Sequence, residues 1–84
     1  MHDFLVCQEV ILMTPFPERL REVRKQSGKK QREAADVCGV ILRTYQGYEG
    51  GKSEPNIARL IALADFFDVS LDYLLGRTDT DPKL

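Results

Sequence analysis

Leu42, Arg43, Gln46 and Gly47 recur at the spacing of a single helix face, and three of the four carry groups suited to reading a flat, hydrogen-bonding edge. A guanidinium fork matches guanine O6 and N7, a carboxamide matches adenine N6 and N7, and an aliphatic chain packs against a thymine methyl. Tyr45, Tyr48 and Glu49 fall on the other side of the same helix, which the spacing predicts over Leu42 to about Glu49. One side is fit for a base edge and the other for a core.

Such a helix needs a partner that holds it at the surface. Gln31 to Cys38 is rich in helix formers, with Ala34, Ala35 and Cys38 sharing a narrow face of small side chains that a second helix can approach closely. Gly39 stands where a left-handed C-cap would end that helix and swing the chain round. The stretch from Gly28 to Pro55 therefore reads as two short helices joined by a tight glycine turn, an arrangement that presents one helix to a DNA groove.

The flanking elements supply the rest of a core. Pro17 fits a first helical position, and Leu20, Val23 and Arg24 then share a face until Gly28. Asn56 can cap a fourth helix whose apolar stripe is Ile57, Leu60, Ile61, Ala64 and Phe67. Ser70 can cap a short fifth helix closed by Gly76, burying Leu71, Leu74 and Leu75. Tyr45, Tyr48, Phe66 and Phe67 are expected in or beside the core rather than stacked on nucleic acid, since aromatics at helical spacing usually serve the interior. The expected fold class is all-α, a single domain within 84 residues.

Composition narrows the function. Cys7, Cys38 and His2 offer neither metal-ligand spacing nor a disulfide framework, so no metal or cofactor is expected and reduced thiols in a cytoplasm are the simplest account. No Gly-rich phosphate loop and no nucleophile–base pair supports catalysis or a small-molecule ligand. The formal net charge of −1 conceals a strong asymmetry. Residues 19–52 hold nine basic and four acidic side chains, net +5, while residues 1–18 and 53–84 are each net −3. The positive segment coincides with the two-helix unit, with Lys29, Lys30, Arg43 and Lys52 placed to meet phosphates.

On these residues a resemblance can be named. Residues 18–77 resemble the Cro/C1-type helix-turn-helix family, the xenobiotic-response-element-like (XRE) regulators of bacteria and phages. The match rests on ERLREVRKQSG from Glu18 to Gly28, Gln31, the Ala35–Gly39–Val40 turn, Tyr48-Glu49, Gly51-Lys52, Pro55 and DVSLDYLLGR from Asp68 to Arg77. The resemblance implies a five-helix lambda-repressor-like domain over 17–77, with a tail at 78–84. It further implies bases read by Leu42, Arg43, Gln46 and Gly47, and phosphates held by Lys29, Lys30, Gln31, Thr44 and Lys52. A buried ion pair between Arg24 and Glu49 follows from the same likeness. The implied function is transcriptional regulation, as a repressor, by a homodimer on a palindromic site in double-stranded DNA. A degenerate domain kept for protein interaction and dimerisation is the alternative.

The chain departs from the family pattern at its helix starts. Lys30 and Ile41 stand where relatives carry capping side chains, each cap typically worth roughly 1 kcal/mol. Gly47 and Gly50 replace polar residues, and a mid-helix glycine costs about 0.5 to 1 kcal/mol against alanine.

Residues 1–16 form an arm outside the two-helix unit. Phe4 to Met13 is apolar and β-prone, too short to span a membrane, and without the basic start and cleavage site of a signal peptide. Either Met13 is the start of the protein, or Phe4, Leu5, Val6, Val10, Ile11 and Leu12 form a dimerisation strand. The strand is the favoured expectation, pairing antiparallel with its copy near Gln8 and Glu9.

Overall fold

The computed structural model describes residues 15–79, and among these every regular element is a helix. The helices are α1 (Phe16–Ser27), α2 (Gln31–Cys38), α3 (Leu42–Gly50), α4 (Ile57–Phe67) and α5 (Leu71–Leu74). The expected arm residues Phe4, Leu5, Val6, Val10, Ile11 and Leu12 lie outside the described residues.

Local signals explain most boundaries. Pro15 is the N-cap of α1 and Pro17 its second residue, so the helix opens one position earlier than the proline alone suggests. Asn56 and Ser70 cap α4 and α5 as expected, accepting from the amides of Arg59 at 2.9 Å and Tyr73 at 3.1 Å. Lys30 and Ile41 provide no side-chain cap. At α2 the loss is half made good, because the Glu33 carboxylate accepts from the Lys30 amide at 2.8 Å. Gly39, at φ 72°, supplies the left-handed turn between α2 and α3, and its own amide and that of Val40 close back on Asp36 and Ala35 carbonyls.

The core lies between these helices. It comprises Leu20 and Val23 of α1, Ala34, Ala35 and Cys38 of α2, Tyr45 and Tyr48 of α3, Leu63, Ala64 and Phe67 of α4, and Leu74 of α5. α3 packs against both α1 and α2, and α4 lies against α2. Tyr45 and Tyr48 meet edge to face with ring centroids 6.0 Å apart, which places both aromatics in the interior as expected. Two expectations for α4 do not hold. Ile57 and Ile61 are 72% and 47% exposed, whereas Leu63, outside the expected stripe, is fully buried. Of the three leucines expected inside at α5, Leu74 is buried and Leu71 and Leu75 are half-buried.

The Tyr45 hydroxyl is buried without a partner at hydrogen-bonding geometry. Its ionisation is pushed far up, by burial first and then by the neighbouring Glu49 carboxylate. The hydroxyl lies beside the Glu49 carboxylate without a hydrogen bond of regular geometry, so what it gains there is set against the cost of its burial, and Tyr45→Phe is expected to change the unfolding free energy by less than about 1 kcal/mol. Urea denaturation of the two proteins side by side checks this.

Candidate nucleic-acid interface

α3 is held from beneath by a chain of polar contacts that starts in α1. Arg24 Nε donates to Glu49 Oε2 at 2.6 Å and Nη2 to Oε1 at 3.2 Å, a two-point pair whose side chains are 13% and 4% exposed. Arg24 Nη1 also donates to the Lys29 carbonyl at 3.1 Å, tying the α1–α2 link to the same guanidinium. Burial pushes the Glu49 carboxyl upward, but the bonds from Arg24, the adjacent Tyr45 hydroxyl and the Gln31 amide, together with the arginine charge, outweigh it, so it titrates below the usual glutamate range.

The network continues to the surface. Gln31 Nε2 donates to Glu49 Oε1 at 3.1 Å, and Gln46 Nε2 donates to Gln31 Oε1 at 3.2 Å. The buried ion pair thus orients, through Gln31, a side chain on the outward face of α3. The guanidinium, carboxylate and two amides fix the rotation of α3 about its axis.

The outward face brings four of the nine expected residues together, three of them base readers. Arg43, Gln46, Gly47, Gly50, Lys52 and Ser53 line one open recess of about 430 Å³. Arg43, Gln46, Lys52 and Ser53 are exposed, and no acidic side chain lines the recess. Leu42 and Thr44 are half-buried at the start of α3, outside that lining. Lys30 is exposed at the N-terminus of α2, and the Lys29 ammonium lies 5.1 Å over the Phe66 ring, which ties it to α4.

Three contributors carry no periodic signal in the sequence. Arg59 Nε donates to the Cys38 carbonyl at 3.2 Å, so α4 caps the end of α2 next to the turn. Ser53 folds onto α3 beside Gly47. Arg19, only 3% exposed, donates through Nη1 to the carbonyls of Tyr73 and Thr78 and clamps α5 onto α1. Cys38 is buried, and burial raises its thiol pKa against the smaller opposing effect of Arg59, so it serves as packing rather than as a nucleophile. No helix among the described residues is long and apolar enough to cross a membrane.

Comparison with known proteins agrees with this geometry. The helix-turn-helix regulator AnsR of Bacillus subtilis is 43% identical over 71% of this chain and 52% of its own length. The CTXphi cryptic-phage transcriptional repressor RstR of Vibrio cholerae is 41% identical over 76% of this chain and 57% of its own. The chain therefore spans little more than half the length of these relatives. Among solved structures, the P22 c2 repressor in complex with a synthetic operator superimposes with a TM-score of 0.68 at 32% identity, covering 74% of this chain and 94% of that one. The profile of the helix-turn-helix family matches residues 20–74, most of the chain, and with α2, the Gly39 turn and α3 in place the protein belongs to the Cro/C1-type helix-turn-helix family.

Proposed function

We propose that this protein is a sequence-specific DNA-binding regulator of transcription, acting as a repressor in the cytoplasm and catalysing no reaction. The observation that carries the reading is the outward strip of α3, where Arg43 and Gln46 stand exposed on a helix whose rotation is fixed by the buried Arg24–Glu49 pair. Relatives named as transcriptional regulators, and a similar fold solved on an operator, support the same assignment.

In this reading Arg43 and Gln46 meet base edges in the major groove, and Leu42 packs against a base at the start of the helix. Lys30, Lys52, Gln31 and Thr44 hold the flanking phosphates, with Lys29 at the edge of the site. Gln31 keeps one amide hydrogen beyond its bond to Glu49 for that purpose. One module of this size makes few base contacts, so useful specificity calls for a homodimer on a palindromic site. Its two α3 helices would sit about 34 Å apart. The apolar arm at residues 4–12 is the proposed dimerisation strand.

The alternative, a domain kept for protein interaction alone, is disfavoured by the basic and exposed character of the α3 face. Arg43→Ala is expected to weaken binding to the preferred site by about 1 to 3 kcal/mol and relax preference at one base position. Lys52→Ala is expected to weaken binding to all sequences alike and reduce the salt dependence by about one phosphate contact. Fluorescence anisotropy on specific and scrambled duplexes separates the two. Equal effects of both substitutions on both duplexes would remove Arg43 as a base reader.

A further inference from the structure

The reading strip of α3 contains a position with no side chain of its own, and a neighbour occupies the space. A Cβ placed on Gly47 falls 2.9 Å from the Ser53 hydroxyl oxygen and 3.9 Å from Ser53 Cβ. Real Cβ atoms do not approach an oxygen so closely, so Ser53 lies where a side chain at 47 would stand. Gly50, one turn further along the strip, has nothing within 4 Å of its Cβ position and forms an open floor beside it.

The backbone puts Ser53 there. Gly51, in the left-handed region at φ 77°, ends α3 and turns the chain back on itself. The amides of Lys52 and Ser53 then both donate to the Gly47 carbonyl, at 2.9 and 3.3 Å. The loop is thereby pinned over the last turn of the helix. The Ser53 hydroxyl joins Arg43, Gln46 and Lys52 around the recess, exposed to solvent.

We infer that Ser53 is a specificity-determining residue, reading the edge of one base pair at the point of the α3 strip where Gly47 has no side chain. The inference rests on the DNA-reading role proposed for α3. A hydroxyl both donates and accepts, so it can serve either kind of base edge, and its preference is set by which edge the flanking Arg43 and Lys52 contacts bring to it. The glycine at 47 has a purpose in this arrangement: any larger residue evicts the hydroxyl from the strip. Gly47 has ordinary helical backbone, so alanine is accommodated there once Ser53 turns away.

The test compares the wild-type protein with Ser53→Ala, Ser53→Thr, Gly47→Ala and the Gly47→Ala/Ser53→Ala double variant by selection from random duplex DNA. Thermal unfolding confirms that each variant is folded. Ser53→Ala is expected to lose about tenfold discrimination at a single base position while the other positions hold, and Ser53→Thr to keep it. Gly47→Ala is expected to change preference at that same position, and the double variant to match Ser53→Ala with no further change. Ser53→Ala with the wild-type preference at every position overturns the inference, as does Gly47→Ala altering a different position. Wild-type protein that enriches no site overturns the DNA-reading role of α3 itself, and the inference with it.

Discussion

Glu49→Ala is expected to lower the unfolding free energy at neutral pH by about 3 to 5 kcal/mol, because it strands a buried charge. The Arg24 side chain is 13% exposed and would keep the Lys29 carbonyl as a neutral partner, with no carboxylate against it. For a domain of this size, whose total stability is on the order of 5 to 15 kcal/mol, that is a large share. Function should suffer even in the fraction that stays folded. Gln31 would lose its acceptor, and Gln46 would lose the support that Gln31 gives it.

The same pair sets a pH signature. The folded-state pKa of Glu49 lies below its ordinary value of 4.5, so the carboxylate contributes stability that is fully present above that value. The contribution is lost as pH falls through the lowered folded-state value. Glu49→Gln, which keeps shape and removes charge, is therefore expected to be much less stable than wild type at pH 7, with the gap shrinking progressively below pH 4.5. Urea midpoints at pH 7 and at acid pH provide the check. A gap that is unchanged in acid would mean the charge of Glu49 contributes nothing.

Arg19→Ala is the second large effect, expected at about 3 kcal/mol. The Arg19 Nη1 group donates to the carbonyls of Tyr73 at 2.7 Å and Thr78 at 2.9 Å, Nη2 to Asp79 at 2.6 Å, and Cζ lies 4.1 Å over the Tyr73 ring. These oxygens converge on a planar, always-charged fork that also stacks, which lysine cannot imitate. Arg19→Lys should therefore recover less than half of the loss. The Asp79 side chain is 75% exposed, so Asp79→Ala should cost less than about 1 kcal/mol, and the carbonyl bonds and the stack account for most of the effect. Denaturant titration of the three variants ranks them. An Asp79→Ala loss equal to that of Arg19→Ala would reverse that assignment.

The unit at the heart of the fold was legible in the sequence because local signals agreed there. Ala34, Ala35 and Cys38 on one face, followed directly by Gly39, specify a close helix pair and its turn without help from distant residues. The outward placement of Arg43, Gln46 and Gly47 follows from the 3.6-residue period once Tyr45 and Tyr48 are assigned inward. α4 misled for the opposite reason. Ile57, Leu60, Ile61, Leu63, Ala64, Phe66 and Phe67 surround much of its circumference, so period alone does not choose a stripe, and packing selected Leu63 over Ile57 and Ile61.

Arg19 and Ser53 were illegible for different causes. An arginine in a charged run reads as surface, and its partners are backbone oxygens 54 and 59 residues away that no side-chain pattern announces. Ser53 belongs to a loop, where position depends on the Gly51 turn rather than on any period. Arg24–Glu49 stands between the two cases. Family likeness pointed to it, whereas the spacing of 25 residues carries no signal by itself.

The most direct test of the DNA-reading face is a selection of the protein against random duplex DNA, followed by affinity titrations of the enriched and a scrambled sequence at low and moderate salt. The expected result is a short palindromic site whose log affinity falls linearly with log salt, at a slope of about −0.9 per phosphate held. No enriched sequence, with only weak binding indifferent to base order, would contradict the assignment of α3 as the element that reads bases.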